Sequence, residues 1–207
     1  MIEFFTDAYK STPWIVIILE AITFVFGIAS VYYAKQENIL VYPTGLIATT
    51  ITTYLFFRTH YIGDMLVNFY YSVMSIYGWY MWARIKDGQK VVEISRTNLN
   101  QKLTGIGVFV FTIIVIFAIY KIFLDQIKTD NYIDIFVSGI FFTAMWYMAL
   151  KKIENWTLWI IGDIIAIPLY AYRGYGILSV EYVFFTILAV LAYIKWRKIL
   201  SNSPQTS

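Results

Sequence analysis

Seven long apolar runs constrain the fold of this chain more than any other feature of its sequence. Each run is about 20 residues long, the length that an α-helix needs to cross the hydrocarbon core of a bilayer. The runs cover residues 14–34, 38–57, 64–84, 103–124, 132–150, 155–173 and 180–198. Inside a bilayer only helices and closed barrels satisfy their own backbone hydrogen bonds. The pattern predicts an all-α integral membrane protein with seven transmembrane helices.

The composition agrees with this prediction and argues against several classes of protein. Of the 207 residues, 59% are hydrophobic and only 14% are charged, outside the usual range of soluble domains. There is no cysteine, which excludes disulfides, thiolate metal sites and cysteine nucleophiles. The single histidine, His60, falls in a short polar link. We therefore expect a protein that is not an enzyme, has no catalytic residues and holds no metal or cofactor.

The basic residues are distributed unevenly between the two sides of the predicted membrane domain. The links after spans 1, 3 and 5, together with the C-terminal end, contain 11 of the 16 lysines and arginines. Because cytoplasmic segments of membrane proteins are enriched in basic residues, we expect the C-terminus in the cytoplasm and the N-terminus outside. The same bias accounts for the net charge of +3 without a nucleic-acid partner.

The chain contains an internal repeat of three spans. Sliding the sequence by 117 residues without a gap brings polar, glycine and tryptophan positions into coincidence. The matches pair Lys35, Glu37 and Asn38 with Lys152, Glu154 and Asn155, Gly45 with Gly162, Tyr42 with Trp159, and Trp79 with Trp196. Span 4 lies between the copies, so corresponding helices point the same way. This predicts two parallel three-helix repeats joined by a central helix, a SWEET-like 3+1+3 arrangement.

The repeat divides the chain into three segments. We assign residues 1–102 to the N-terminal segment, the first repeat and a cytoplasmic loop, 103–131 to the linker helix, and 132–207 to the second repeat and the tail. Carriers built from parallel repeats bind substrate between the repeats near the bilayer midplane. Spans 2 and 6, which correspond in the two copies, are therefore the first place to look for a site.

Span 6 carries the strongest candidate site. Four of its residues share one helical stripe: Trp156, Trp159, Asp163 and Tyr170. A charged group at mid-membrane costs roughly 2.5 to 3.5 kcal/mol on insertion scales, so Asp163 should face the protein interior. Aromatic faces beside a carboxylate suit a flat cationic ligand. The alternative is a packed helix whose aspartate is neutralised by a neighbouring residue.

Spans 2 and 3 supply further candidates. Span 3 presents Asn68 and Ser72 on one face, with Tyr71 beside them, and span 2 contributes Tyr42 and Thr49. These side chains could hydrogen-bond a ribose or a pyrimidine. The alternative, hydrogen bonding between the helices themselves, is equally compatible with their positions.

The segment WTLWIIGDIIAIPLYAYRGY, the preceding GWYMW and the three-plus-one-plus-three arrangement resemble the PnuC family of bacterial vitamin transporters. The resemblance covers essentially the whole chain, and its most specific part is the WxxWxxxD pattern of Trp156, Trp159 and Asp163. It implies that these three residues carry the substrate motif. It also implies uptake of nicotinamide riboside across a bacterial inner membrane without phosphorylation during transport.

The sequence has no GxxxxGK[ST] motif, and Asp163 is its one clearly mid-span acid, so nothing indicates ATP coupling or a proton relay. We therefore expect facilitated diffusion by alternating access, with a cytoplasmic kinase trapping the vitamin inside. The same family includes thiamine and riboflavin transporters, so these vitamins are alternative substrates. Two further hypotheses are that the protein is a substrate-capturing subunit of an energised complex or that it is a sugar carrier. Carriers of this architecture work alone or as homotrimers, and the sequence leaves that choice open.

Overall fold

The computed structural model describes residues 12–58, 62–86, 88–123, 127–173 and 176–202, and seven α-helices account for most of them. The helices are α1 (Trp14–Lys35), α2 (Val41–Arg58), α3 (Ile62–Ala83), α4 (Leu99–Phe123), α5 (Thr129–Ala149), α6 (Glu154–Tyr172) and α7 (Gly176–Asn202). Their ends agree with the seven apolar runs to within four residues. The predicted number of helices is confirmed, whereas His60 lies outside the described residues.

Several of these helices are suited to a bilayer. By length and composition, α1, α4, α5 and most of α7 are long and apolar enough to cross a membrane. Large apolar side chains also point outward along the bundle, for example Leu99 and Ile122 of α4, which are 71% and 76% exposed. Such outward-facing apolar surface matches lipid tails rather than water. The chain is a multi-pass membrane protein.

Six of the helices form a closed ring. Helix α1 packs against α2 and α7, α2 against α3, α3 against α5, α5 against α6, and α6 against α7. Helix α4 lies outside this ring, mainly against α5. The joint between α3 and α5 is held by Tyr70, which stacks on Phe142 with ring centroids 3.8 Å apart, and by Trp82, whose Nε1 donates to the Met148 carbonyl at 3.2 Å.

The polar segment between α3 and α4 was predicted only as a loop, but it contains a short ribbon. Strands β1 (Ile85–Lys86) and β2 (Gln89–Lys90) pair antiparallel around Gly88, whose φ of 77° favours glycine. The next residues dock on the link between α5 and α6. There the Ser95 N–H donates to the Lys151 carbonyl at 3.2 Å, and the Ile153 N–H donates back to the Ser95 carbonyl at 3.0 Å. This loop is therefore tied to the start of α6.

Candidate functional site

Asp163 is the central residue of the candidate site. It lies nine residues after Glu154, the first residue of α6, which places it roughly 14 Å along the helix axis. Its side chain is only 2% exposed. Within the described part of the chain, no lysine or arginine forms an ion pair with it. A buried carboxylate without a protein cation is strongly attractive to a positively charged ligand.

Aromatic rings from α3, α5 and α6 meet close to this carboxylate. The Trp159 ring lies 5.2 Å from that of Phe141 and 6.1 Å from that of Tyr71, measured between centroids. The Tyr71 hydroxyl is buried, has no hydrogen-bond partner among the described residues and interacts electrostatically with Asp163. Four aromatic or acidic side chains from three helices therefore converge on one small volume.

A ladder of three parallel rings extends the same cluster. Tyr182 of α7 stacks on Phe141 at 5.9 Å and on Tyr170 at 5.1 Å, with interplanar angles of 6° and 7°. Its hydroxyl hydrogen-bonds that of Tyr170 and interacts electrostatically with Asp163. The sequence singled out Tyr170 but neither Phe141 nor Tyr182. We call the set Tyr71, Phe141, Trp159, Asp163, Tyr170 and Tyr182 the Asp163 cluster.

Trp156 lies in a different environment from the rest of its predicted stripe. It is 1% exposed and packs edge-on against Trp196 of α7, with centroids 5.4 Å apart and an interplanar angle of 88°. Tyr42 of α2 makes the same edge-on contact with Trp82 of α3, at 5.1 Å and 88°. These four residues belong to one core at the end of the bundle where α6 begins. Trp159 packs against both this core and the Asp163 cluster.

The polar candidates of spans 2 and 3 lie together between α2 and α3. The hydroxyls of Thr49 and Ser72 are 2.8 Å apart and hydrogen-bonded. Thr49 Oγ1 also lies 2.9 Å from the Gly45 carbonyl oxygen, and Ser72 Oγ lies 3.1 Å from that of Asn68. One hydroxyl therefore donates to the other, and the hydroxyl that accepts donates to the carbonyl of its own helix. This arrangement joins the two helices to each other.

Ion pairs lie at the two ends of α6. Beyond its last turn, Arg173 Nε is 2.9 Å from Asp130 Oδ2, and Arg173 Nη1 is 3.5 Å from Asp134 Oδ2. Burial alone would lower the pKa of Arg173, but Asp134 and Asp130 raise it above its ordinary value. Before its first turn, Lys151 Nζ is 2.5 Å from Glu37 Oε1. Burial lowers the pKa of Lys151, and Glu37 partly opposes that shift.

Among the residues that the structure describes, no group of three or more histidine, cysteine or acidic side chains is placed to hold a metal ion. The described site instead consists of aromatic faces, hydroxyls and one carboxylate. Such a set can stack on a flat ring, balance a positive charge and hydrogen-bond a polar substituent.

Comparison with known proteins gives matches along most of the chain. The model of the family described as nicotinamide mononucleotide transporter matches residues 17–198. The nicotinamide riboside transporter PnuC of Escherichia coli (strain K12) is 24% identical over 201 residues, covering 86% of this chain and 84% of the relative. The riboflavin/roseoflavin transporter RibM of Streptomyces davaonensis is 19% identical over 193 residues, covering 87% and 88%.

A solved structure has the same fold. The crystal structure of the vitamin B3 transporter PnuC superposes with a TM-score of 0.71 at 22% sequence identity, covering 97% of this chain and 87% of that one. The relatives found by sequence and by structure carry the names of transporters rather than enzymes.

Proposed function

This chain belongs to the nicotinamide mononucleotide transporter family, and we propose that it carries nicotinamide riboside across the membrane, with Asp163 and the rings around it forming the substrate site. The observation that carries the proposal is the buried Asp163 carboxylate, which has no ion-pair partner among the described residues and interacts electrostatically with the hydroxyls of Tyr71 and Tyr182. A pyridinium ring is flat and positively charged. It would stack on Trp159 or Tyr71 while the carboxylate balances its charge.

The charge of the cluster favours the riboside over the mononucleotide. A phosphate monoester adds a charge of about −1.5 to −2 at neutral pH. No lysine or arginine among the described residues forms an ion pair with Asp163, so a phosphate beside this carboxylate would be repelled rather than bound. We therefore expect the uncharged ribose of the riboside to hydrogen-bond hydroxyls of the site. Tyr71, Tyr170 and Tyr182 are the candidates from the cluster, and Asn68, Ser72 and Thr49 are the candidates from α2 and α3.

The proposed architecture is two parallel repeats, α1–α3 and α5–α7, with α4 as the linker. The ring of helix contacts supports this architecture. If α1, α2 and α3 are exchanged with α5, α6 and α7, the order of neighbours around the ring stays the same. The two edge-on aromatic pairs support it as well. Trp156 and Trp196 lie 114 residues after Tyr42 and Trp82, and both pairs have an interplanar angle of 88°. The packed cores thus recur at an offset of 114 rather than 117.

The proposed mechanism is facilitated diffusion by alternating access of the two repeats around the site. The sequence has no GxxxxGK[ST] motif, so it offers no phosphate-binding loop for ATP coupling. A cytoplasmic kinase would trap the product and maintain the inward gradient of the free vitamin. In this proposal the C-terminus is cytoplasmic, the N-terminus is external, and the segments remain 1–102, 103–131 and 132–207.

Riboflavin and thiamine are the alternative substrates. The likeness to RibM, which is named for riboflavin and roseoflavin, favours keeping riboflavin as a candidate. The Asp163 carboxylate favours the cationic thiamine over the neutral flavin.

Calorimetric titration of the purified protein and uptake into liposomes test the proposal together. We expect nicotinamide riboside to bind with a Kd at or below micromolar, about −8 kcal/mol or better, and to enter liposomes without an added ion gradient. Nicotinamide mononucleotide, free nicotinamide and a neutral sugar serve as controls that should bind weakly. Tight binding without uptake would instead indicate a substrate-capturing subunit. Tighter binding of thiamine or riboflavin would make that vitamin, rather than nicotinamide riboside, the substrate.

A further inference from the structure

One partly buried ion pair lies where the two halves of the ring meet. Lys151, on the link between α5 and α6, is 2% exposed at its side chain, and its Nζ lies 2.5 Å from Glu37 Oε1 on the link between α1 and α2. The same Nζ sits 4.4 Å from the centroid of the Trp82 ring. The Glu37 side chain is 27% exposed, so the pair removes mainly the lysine charge from water, and the carboxylate and the face of the Trp82 ring offset that cost.

Glu37 and Lys151 occupy equivalent positions in the two halves. Each is the residue directly after a helix C-cap, Gln36 in one case and Leu150 in the other. Each has a left-handed backbone, with φ of 59° and 50°, which is uncommon for residues other than glycine. They are 114 residues apart, the same separation that relates the two aromatic pairs of the core.

Where two equivalent residues touch each other, the axis that relates the two halves must pass close to both of them. The Glu37–Lys151 pair meets this condition, and so do Trp82 and Trp196, which are also 114 residues apart and whose rings lie 6.4 Å from each other. Both contacts are at the end of the bundle where α1 and α5 finish. In a carrier built from parallel repeats, the substrate passes between the repeats, along that axis.

We infer that the Glu37–Lys151 ion pair, with the Trp82 and Trp196 rings beneath it, is the gate that closes the substrate route on the side of the C-terminus. The inference rests on the proposed transport function. It adds two charged residues that control passage of the substrate without belonging to its binding site. Opening on this side must break the pair, and closing must re-form it.

The loop before α4 fixes one side of this gate. Ser95 makes two backbone hydrogen bonds with the link, to Lys151 at 3.2 Å and from Ile153 at 3.0 Å. Lys152 Nζ donates to Ser95 Oγ at 2.7 Å, and the Thr97 N–H donates to Glu154 Oε2 at 3.1 Å. Lys151 is thus held by this loop as well as by Glu37.

Cysteine labelling tests the gate directly, because the chain has no native cysteine. Ala166 is fully buried beside the Asp163 cluster, so Ala166→Cys provides a reporter behind the gate. A membrane-impermeant maleimide is added to vesicles in which a C-terminal tag faces the reagent. We expect Lys151→Met or Glu37→Gln to accelerate labelling at least threefold. Vesicles of the opposite orientation should show no acceleration.

A matched control and a rescue separate gating from a general loss of structure. Lys102→Met removes an equal charge from an exposed lysine of α4, outside the ring, and should leave the labelling rate unchanged. The exchange Glu37→Lys with Lys151→Glu should restore slow labelling. Unchanged rates in both single variants, or equal acceleration by Lys102→Met, would overturn the inference. The assay needs no substrate, so its result is independent of whether nicotinamide riboside binds.

Discussion

At the scale of single residues, the proposed substrate site depends on the Asp163 carboxylate, which the protein buries without a counter-ion among its described residues. Asp163 is 2% exposed, whereas Asp130 and Asp134, near the end of α6, are paired with Arg173. An unpaired buried charge lowers stability unless a ligand compensates it. Keeping one at the centre of an aromatic cluster is consistent with a role in binding rather than in folding.

Asp163→Asn should separate these two roles. The substitution keeps the shape of the side chain and removes its charge, so we expect at least a tenfold loss of affinity for nicotinamide riboside. The melting temperature should stay the same or rise, because a buried charge is removed. Calorimetry and thermal unfolding measure the two effects. Glu93→Gln, which neutralises an exposed carboxylate, is the control. Unchanged affinity in Asp163→Asn would remove Asp163 from the site.

The two tryptophans of the WxxW pattern should behave differently when truncated. Trp159 contacts rings of the Asp163 cluster, so Trp159→Ala should abolish most substrate binding. Trp156 is fully buried against Trp196, so Trp156→Ala should mainly destabilise the fold, by about 3 to 5 kcal/mol. Binding and unfolding measurements on both variants decide the matter. A stable Trp156→Ala protein that no longer binds would place Trp156 in the site instead.

Part of the site could be predicted from residue patterns, and part could not. The cost of a mid-membrane acid identified Asp163, and helical periodicity put Trp159 and Tyr170 on its face. That stripe runs from Trp156 to Tyr170, roughly 21 Å, which is longer than one vitamin, so periodicity could not separate a site residue from a core residue. Phe141 and Tyr182 were missed because an aromatic residue in an apolar helix looks the same in sequence whether it faces lipid or the interior.

At the scale of helices, close approach of α5 and α6 brings the aromatic cluster together. Gly162 of α6 lies against the ring of Phe141, and a Cβ added there would overlap that ring. The absence of a side chain at Gly162 therefore lets Phe141 of α5 reach the cluster.

Gly162→Ala should push the two helices apart. Overfilling a packed contact typically costs about 1 to 3 kcal/mol, so we expect a lower melting temperature and weaker substrate binding. Gly107→Ala on α4 is the matched control, since a Cβ at that position meets nothing within 4 Å. Equal melting temperatures for the two variants would show that the α5–α6 contact is not as tight as described.

The helices themselves were predictable, whereas the ribbon between α3 and α4 was not. A run of about 20 apolar residues specifies a membrane helix through its length alone, so the bounds agreed to within four residues. Strands of two residues have no detectable periodicity. The segment that follows the ribbon is held by tertiary hydrogen bonds between Ser95 and the link at Lys151 and Ile153. No local sequence pattern predicts such contacts.

At the scale of the whole molecule, a gapless comparison of the sequence with itself detected the repeat but did not determine its offset. The offset of 117 aligns charged residues in the links, while the packed aromatic pairs recur at 114. The difference of three residues is close to one helical turn. Both offsets therefore put the same helix faces together, and the sequence alone could not choose between them.

The proposed orientation can be tested in intact bacterial cells. If the basic residues set the topology, Thr12→Cys should react with an external membrane-impermeant maleimide, while Asn202→Cys should react only after the cells are opened. Each variant serves as the control for the other, because the chain contains no other cysteine. External labelling of Asn202→Cys would reverse the orientation and place the Glu37–Lys151 gate on the outer side.

Selection of the substrate by its positive charge at Asp163 can be tested by one calorimetric comparison. The purified protein is titrated with nicotinamide riboside and with its dihydro form, which has nearly the same shape but no positive charge. We predict a Kd at or below micromolar for the cation and at least tenfold weaker binding of the neutral form. Equal affinities for the two, or no binding of the cation, would contradict the account.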